Sequence, residues 1–401
     1  MSTVHEAIEL SDRYLVQTYG RPDFALVRGE GAYLYDSTGK QYLDMVSGIA
    51  VNTFGYGDKA LQTAIQEAAT GLIHTSNLYH SLPGAKLAEA LVQNSFADRV
   101  FFSNSGTEAV EGALKFARKA ATQHHHGKQG FVSFTFGFHG RTMGALSTTA
   151  NPKYRKPFGA LTGPVAFAEF NNLENAEAVI DDNTAAVIVE PIQGEGGMMP
   201  ATDAFLKKLR DLCDDHGATL IFDEVQCGVG RTGTLWAYEP SGVTPDIMVV
   251  AKPLGGGFPI GAILVTEAIA GMIGIGDHGS TFAGGPFITQ IALHQLERVN
   301  QPDFLAHVRE IGDYLESKLT ELADAEAIVE TIRGRGLMRG IQIAETLPVA
   351  DLLPIAHDHG LLLVGAGRNT IRLLPPLIIE KRHVDELIET LTAVLAEAQA
   401  V

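Results

Sequence analysis

The sequence predicts an α/β protein in which a parallel or mixed sheet is covered by helices on both faces, followed by a smaller α+β lobe. Short apolar runs alternate with helix-like segments from about Phe54 to Gly285. The runs are apolar on both alternations, as in strands buried on two faces. After about residue 300 a long amphipathic stretch replaces that alternation. Residues 99–103, 131–135, 185–190, 219–225, 247–251 and 261–266 read as strands, with helices at 107–121 and 204–216. Nearer the N-terminus, segments 33–36 and 41–44 flank Ser37-Thr38-Gly39-Lys40 as the arms of a hairpin. In the last third, the amphipathic stretch 304–323, the Gly334-Arg335-Gly336-Leu337 segment and apolar runs near Leu361 and Ile371 make up the smaller lobe. The expected division is 1–53 as an N-terminal segment of the small domain, 54–295 as the large domain and 296–401 as the C-terminal small domain.

A chain of 401 residues supports more than one core, because single cores rarely grow past about 250–300 residues. The formal net charge of −17 would repel phosphate backbones and anionic lipid, so neither nucleic acid nor membrane is an expected partner. Cys213 and Cys227 have no metal-ligand spacing, and no metal is expected. Neither a leader peptide nor an apolar run of about 20 residues is visible, which suggests a cytoplasmic protein. His124-His125-His126 sits among Gln and Lys residues and reads as a solvated loop.

Several strand ends carry chemistry. Ser103-Asn104-Ser105-Gly106-Thr107-Glu108 opens a helix, and Ser105 with Glu108 has capping-box spacing. The free N–H groups and dipole of that helix end suit a phosphate. Asp223 ends one apolar strand and is followed by Glu224. A carboxylate there needs a cation or donor, and a helix start to cap, a metal ion or a protonated pyridine nitrogen would each meet that need. Lys252 ends another strand, before Pro253-Leu254-Gly255-Gly256-Gly257. Taken alone it reads either as an amine snorkelling to solvent beside a flexible loop or as a buried one, whose lowered pKa suits it to Schiff-base chemistry. Phe136-Gly137-Phe138-His139-Gly140-Arg141-Thr142 offers aromatic faces and a guanidinium. Arg372, within an apolar strand, requires an acid or an anionic substrate. The 334–340 segment has the wrong spacing for a nucleotide loop.

The order SNSGTE, FHGRT, EPIQGEGG, FDEVQ, AKPLGGG, HGSTFAGG and IRLLPP resembles, over nearly the full chain, the fold-type I pyridoxal-phosphate enzymes and specifically the class III ω-aminotransferases. The resemblance implies a large domain with a mixed, mostly parallel seven-stranded sheet between helices, and pyridoxal 5′-phosphate as cofactor. It implies that Lys252 carries the cofactor as a Schiff base and moves a proton on the donor carbon, while Asp223 faces the pyridine nitrogen. Gln226 would lie near the phenolic oxygen, Phe138 and Val225 on the ring faces, and Gly106 and Thr107 at the phosphate. Ser105, His139 and Glu190 would complete the cofactor contacts. Ser280 and Thr281 would reach the phosphate in a neighbouring subunit, which implies a homodimer with shared active sites.

The same resemblance assigns Arg141 to the α-carboxylate of an ω-amino substrate. Arg372, paired with Glu195 in one half-reaction, would be released to bind the α-carboxylate of glutamate or 2-oxoglutarate in the other. Segments 47–52 and 74–79 look most like those of acetylornithine aminotransferases, adding Val51, Asn77 and Tyr79 to the substrate site. The expected reaction moves the ω-amino group of N-acetylornithine, or of a related ω-amino acid, to 2-oxoglutarate. Ornithine, 4-aminobutyrate and succinyldiaminopimelate are alternative donors, and a decarboxylase or aminomutase is the alternative chemistry.

Overall fold

The structure, a computed structural model, describes residues 3–124 and 127–400. The central sheet has seven strands: β1 (Arg99–Ser103), β2 (Gly130–Phe134), β3 (Val165–Ala168), β4 (Thr184–Val189), β5 (Thr219–Asp223), β6 (Ile247–Val250) and β7 (Gly261–Val265). Their order is β1-β7-β6-β5-β4-β2-β3. Strands β6, β5, β4, β2 and β3 run parallel, and β7 is antiparallel to both β6 and β1. Every residue of β4, β5, β6 and β7 is buried, the physical reason their sequences lack a polar alternation. Edge strand β3 is only partly buried and was not read as a strand from the sequence.

Alternation along the strands divides the side chains between two cores. On one face Ile188, Ile221 and Ile263 pack against Ala109, Ala113 and Ala117 of the helix Gly106–His124. On the other, Val187, Leu220 and Phe222 meet Phe205, Leu206 and Leu209 of the helix Asp203–His216. That second helix is well delimited: Thr202 accepts from Phe205 N at its start, and Gly217, at φ 59°, ends it. Leu209 is fully buried, so Leu209→Ala is expected to cost about 2–5 kcal/mol.

The other lobe is an antiparallel four-stranded sheet, Val329–Arg335, Met338–Ile343, Thr370–Leu373 and Val364–Ala366 in that order. Helices Pro302–Ala325, Val349–Asp358 and Lys381–Ala400 cover it, with Leu315, Leu319, Leu387 and Leu391 wholly buried. The 334–340 segment is the hairpin between the first two strands, with Arg335 opposite Met338. The N-terminal hairpin Tyr33–Asp36/Gln41–Asp44 forms around Asp36, whose Oδ1 accepts from Thr38 N at 2.8 Å and Lys40 N at 3.0 Å. A preceding strand, Leu26–Glu30, extends it; being largely exposed, it carries no apolar signal. The far edge pairs in parallel with Leu361–Leu362, Leu43 opposite Leu361.

Candidate active site

Parallel strands β4, β5 and β6 end on one side of the sheet, so the residues that follow them converge. A cavity of about 490 Å³ opens there, lined by Val51, Ser105, Gly106, Thr107, Phe138, His139, Arg141, Glu190, Glu195, Asp223, Val225, Gln226 and Lys252. Those candidates are thus brought together from well-separated parts of the chain. Lys252 begins a short turn just after β6, and Leu254 N donates to Ala251 O. Burial, reinforced by the positive charge of Arg372, pushes its ammonium down to about 8, so a large share is neutral amine near that pH.

Asp223 is 4% exposed and bound at both oxygens. Oδ2 lies 2.8 Å from His139 Nδ1, and Oδ1 accepts from Val225 N at 3.0 Å. His139 is itself held by its backbone N–H on Thr149 Oγ1. Beside them Glu190 accepts from Phe138 N at 2.9 Å and Gly194 N at 3.0 Å. Burial pushes its carboxyl up to about 7, with the charge of Asp223 adding and that of His139 opposing. Glu224, next to Asp223, leaves in the other direction and accepts from Ala237 N at 2.7 Å and Tyr238 N at 2.8 Å. Of the two consecutive acids, one faces the cavity and the other anchors a loop.

The opposite end of the cavity is the start of the helix Gly106–His124. Ser105 Oγ accepts from Glu108 N at 3.3 Å, but the Glu108 carboxylate accepts from Asn104 N at 2.6 Å rather than from Ser105, so the capping box closes one residue early. Gly106 leaves no room for a side chain, since a Cβ would stand 2.7 Å from Val225 Cγ1. Thr107 Oγ1 accepts from the backbone N–H groups of Arg141 and Thr142 at 3.1 and 3.2 Å, which ties the Arg141 loop to the helix start.

This donor set fits pyridoxal phosphate. A partly neutral amine and a buried acid face one cavity, the helix start supplies N–H groups for a phosphate, and Gln226, 6% exposed, keeps a buried Oε1 with no partner among the described residues.

Two arginines define the substrate side. Arg141 Cζ stands 3.7 Å from the centre of the Tyr154 ring and 5.5 Å from that of Phe138, with no carboxylate partner among the described residues. Arg372 is 2% exposed and donates to Glu195 Oε1 at 2.6 Å. Beyond Phe138 and Glu195, which line both, lies a second cavity of about 760 Å³ containing Phe136, Tyr154, Arg155 and Arg368.

Five expected residues do not line the first cavity in this chain: Arg372, which is paired with the lining residue Glu195, and Ser280, Thr281, Asn77 and Tyr79. Ser280 and Thr281 lie on a partly exposed loop, where Asn77 Nδ2 donates to Ser280 O and Ala283 O, and Tyr79 is 73% exposed. The sequence reading also missed Asn104, which lines the cavity and donates to Ser280 Oγ at 3.1 Å, as well as Tyr154 and Arg368. Asn104 stands within the quoted motif; the other two have no local signal. His125 and His126 lie outside the described residues.

Comparison with known proteins places these features among relatives. The family described as Aminotransferase class-III matches residues 15–395. The chain is 48% identical over 392 residues to the mitochondrial acetylornithine aminotransferase of Alnus glutinosa, covering 96% of this chain and 86% of that one. It is 44% identical over 384 residues to the succinylornithine transaminase of Yersinia enterocolitica, covering 94% and 93%. The crystal structure of the ornithine aminotransferase from Toxoplasma gondii superposes with a TM-score of 0.94 at 26% identity, covering 100% of this chain and 96% of that one.

Proposed function

The chain belongs to the class III aminotransferases, and from that premise we propose that it moves the ω-amino group of N-acetylornithine, or of a close N-acylated relative, to 2-oxoglutarate. The observation that carries this reading is the placing of Lys252 and Asp223 on one cavity with Arg141, which has no carboxylate partner among the described residues, and with Glu195, which masks Arg372.

Pyridoxal 5′-phosphate is the cofactor. Lys252 would hold it covalently, Asp223 would face its ring nitrogen with His139 fixing the carboxylate, and Phe138 and Val225 would cover the ring faces. Gln226 would approach its phenolic oxygen, and Ser105, Gly106 and Thr107 would take the phosphate, with Glu190 holding the backbone of Phe138. When bound, the cofactor accepts the electron pair released at the donor carbon and stores the amino group between half-reactions. Lys252 Nζ, uncharged in a large share of molecules near pH 8, takes and returns the proton at that carbon.

Arg141 binds the α-carboxylate of the donor, which leaves the ω-amine directed at Lys252. While the donor reacts, Glu195 neutralises Arg372; when the acceptor enters, its α-carboxylate replaces Glu195 on that guanidinium. Val51 would touch the substrate from the wall of the cavity. We further propose a homodimer. Ser280, Thr281, Asn77 and Tyr79 stand away from their own cavity, while Leu72, Leu78, Tyr79 and Phe282 expose 62–81% of their surface, as expected for side chains that another subunit covers.

A spectral titration of the holoenzyme tests the assignment, with N-acetylornithine, succinylornithine, ornithine, 4-aminobutyrate and glutamate added separately. Loss of the cofactor's visible band at the lowest concentration of N-acetylornithine, restored by 2-oxoglutarate, is the expected result. A preference for an uncapped amine would keep the chemistry and overturn the substrate. A preference for succinylornithine, which the succinylornithine transaminase relative supports, would move the assignment to the larger acyl group.

A further inference from the structure

Glu195 must leave Arg372 when an α-carboxylate takes its place, and a carboxylate displaced within a half-buried site needs a new cation or water. Glu195 lines both cavities, and its backbone carbonyl accepts from Gly367 N at 2.8 Å. That bond fastens the loop between Val364–Ala366 and Thr370–Leu373 directly to Glu195. The contact is close enough that a Cβ on Gly367, which sits at φ +51°, would meet Gly196 O at 2.7 Å. On the far side, Asn369 Nδ2 donates to the carbonyls of Ile343, Ala344 and Leu347, and its Oδ1 accepts from Val349 N.

Arg368 lies between these two fixed points, and its side chain lines the second cavity. Its guanidinium is 5.0 Å from the centre of the Phe136 ring and pairs with no carboxylate among the described residues. The other guanidinium there, Arg155, is already engaged, stacked on Phe167 at 4.3 Å and donating to Ala150 O at 3.3 Å. We propose that Arg368 is a positioning residue that receives the carboxylate of Glu195 in the second cavity while the acceptor's α-carboxylate occupies Arg372. The inference rests on the Arg372–Glu195 exchange described under the proposed function. It gives that exchange balanced charge: one carboxylate replaces another on Arg372, and the displaced one meets a second guanidinium one residue beyond its own backbone tether.

The test is a calorimetric titration of glutarate, a diacid with no keto group, into the enzyme loaded with the amine form of its cofactor. Five proteins are compared: wild type, Glu195→Gln, Arg368→Gln, Arg368→Lys and the double variant Glu195→Gln/Arg368→Gln. Glu195→Gln should bind glutarate more tightly than wild type, because its competing carboxylate is gone. Arg368→Gln should bind it about fivefold more weakly, the scale of an accessible ion pair. The double variant should match Glu195→Gln within about twofold, and Arg368→Lys should retain wild-type affinity. Equal weakening by Arg368→Gln in both backgrounds would mean that Arg368 touches the diacid itself, and would overturn the proposal. So would an unchanged affinity in Arg368→Gln alone. If Glu195→Gln leaves the affinity unaltered, the exchange at Arg372 fails first and the role of Arg368 falls with it.

Discussion

His139 Nδ1 lies 2.8 Å from Asp223 Oδ2, and both side chains are almost wholly buried. The pair fixes the acid that would meet the cofactor's ring nitrogen. His139→Leu is expected to lower turnover by about 10- to 100-fold, the scale of a hydrogen bond to a charged group, and to speed loss of cofactor on dialysis. Asp223→Ala should reduce turnover further. Steady-state rates and the visible absorbance retained after dialysis check both.

The amine of Lys252 titrates at about 8 rather than 10.5 because it is buried and faces the charge of Arg372. The neutral amine is the nucleophile, so capture of pyridoxal phosphate by cofactor-free protein should accelerate as pH rises and level off above about 8. Arg372→Leu removes one cause of the shift and should move the levelling point upward. A rate still climbing steeply toward pH 10 in the wild type would contradict the assignment, as stopped-flow absorbance can show.

Burial pushes the Glu224 carboxyl up to about 8, against 4.5 for an ordinary glutamate. The folded state therefore holds a proton that the unfolded chain has released between these values, and stability from this group is lost as pH rises from about 4.5 through 8. Glu224→Gln should flatten that part of the thermal-midpoint profile. Gln can accept from only one of the Ala237 and Tyr238 N–H groups, which bond to different oxygens of Glu224, so the variant should also lose about 1–3 kcal/mol at every pH.

Arg141 is held by the ring of Tyr154 rather than by an acid. Arg141→Leu should raise KM for a carboxylated donor by about 10-fold or more and leave donors without a carboxylate nearly unchanged. Tyr154→Leu should give a smaller rise of the same selectivity, roughly 2- to 5-fold for a cation–π contact, while Tyr154→Phe should stay near wild type. Parallel assays with paired donors separate this from general damage.

A side chain at Gly140 would meet Thr107 Oγ1 at 2.3 Å, and φ there is +135°. Gly140→Ala should therefore loosen the Arg141 loop from the helix start, raising the dissociation constants of phosphate and pyridoxal phosphate for the cofactor-free protein. Equilibrium dialysis measures both.

The sheet was legible in the sequence because β4, β5, β6 and β7 are buried on both faces and leave uninterrupted apolar runs. The exposed Leu26–Glu30 mixes charged and small residues into its run and was missed, and the edge strand Val165–Ala168 was missed although all four of its residues are apolar. The motif residues at strand ends converge because neighbouring parallel strands end together, a property that spacing expresses. Tyr154 and Arg368 were not legible for the opposite reason. They come from a four-residue helix and a tethered loop, and tertiary contacts alone bring them beside Arg141 and Glu195. Asn77, Tyr79, Ser280 and Thr281 carry a motif whose use by a neighbouring chain remains part of the proposal.

The parallel pairing of Leu43 with Leu361 bears on biosynthesis. These residues are 361 − 43 = 318 positions apart, so the early ribbon leaves the ribosome long before its neighbouring strand exists. At cellular translation speeds the interval is roughly 15–60 s. Throughout it Leu43, 2% exposed in the finished protein, lacks the strand that completes its side of the sheet, so this ribbon reaches its final packing only when synthesis is nearly over.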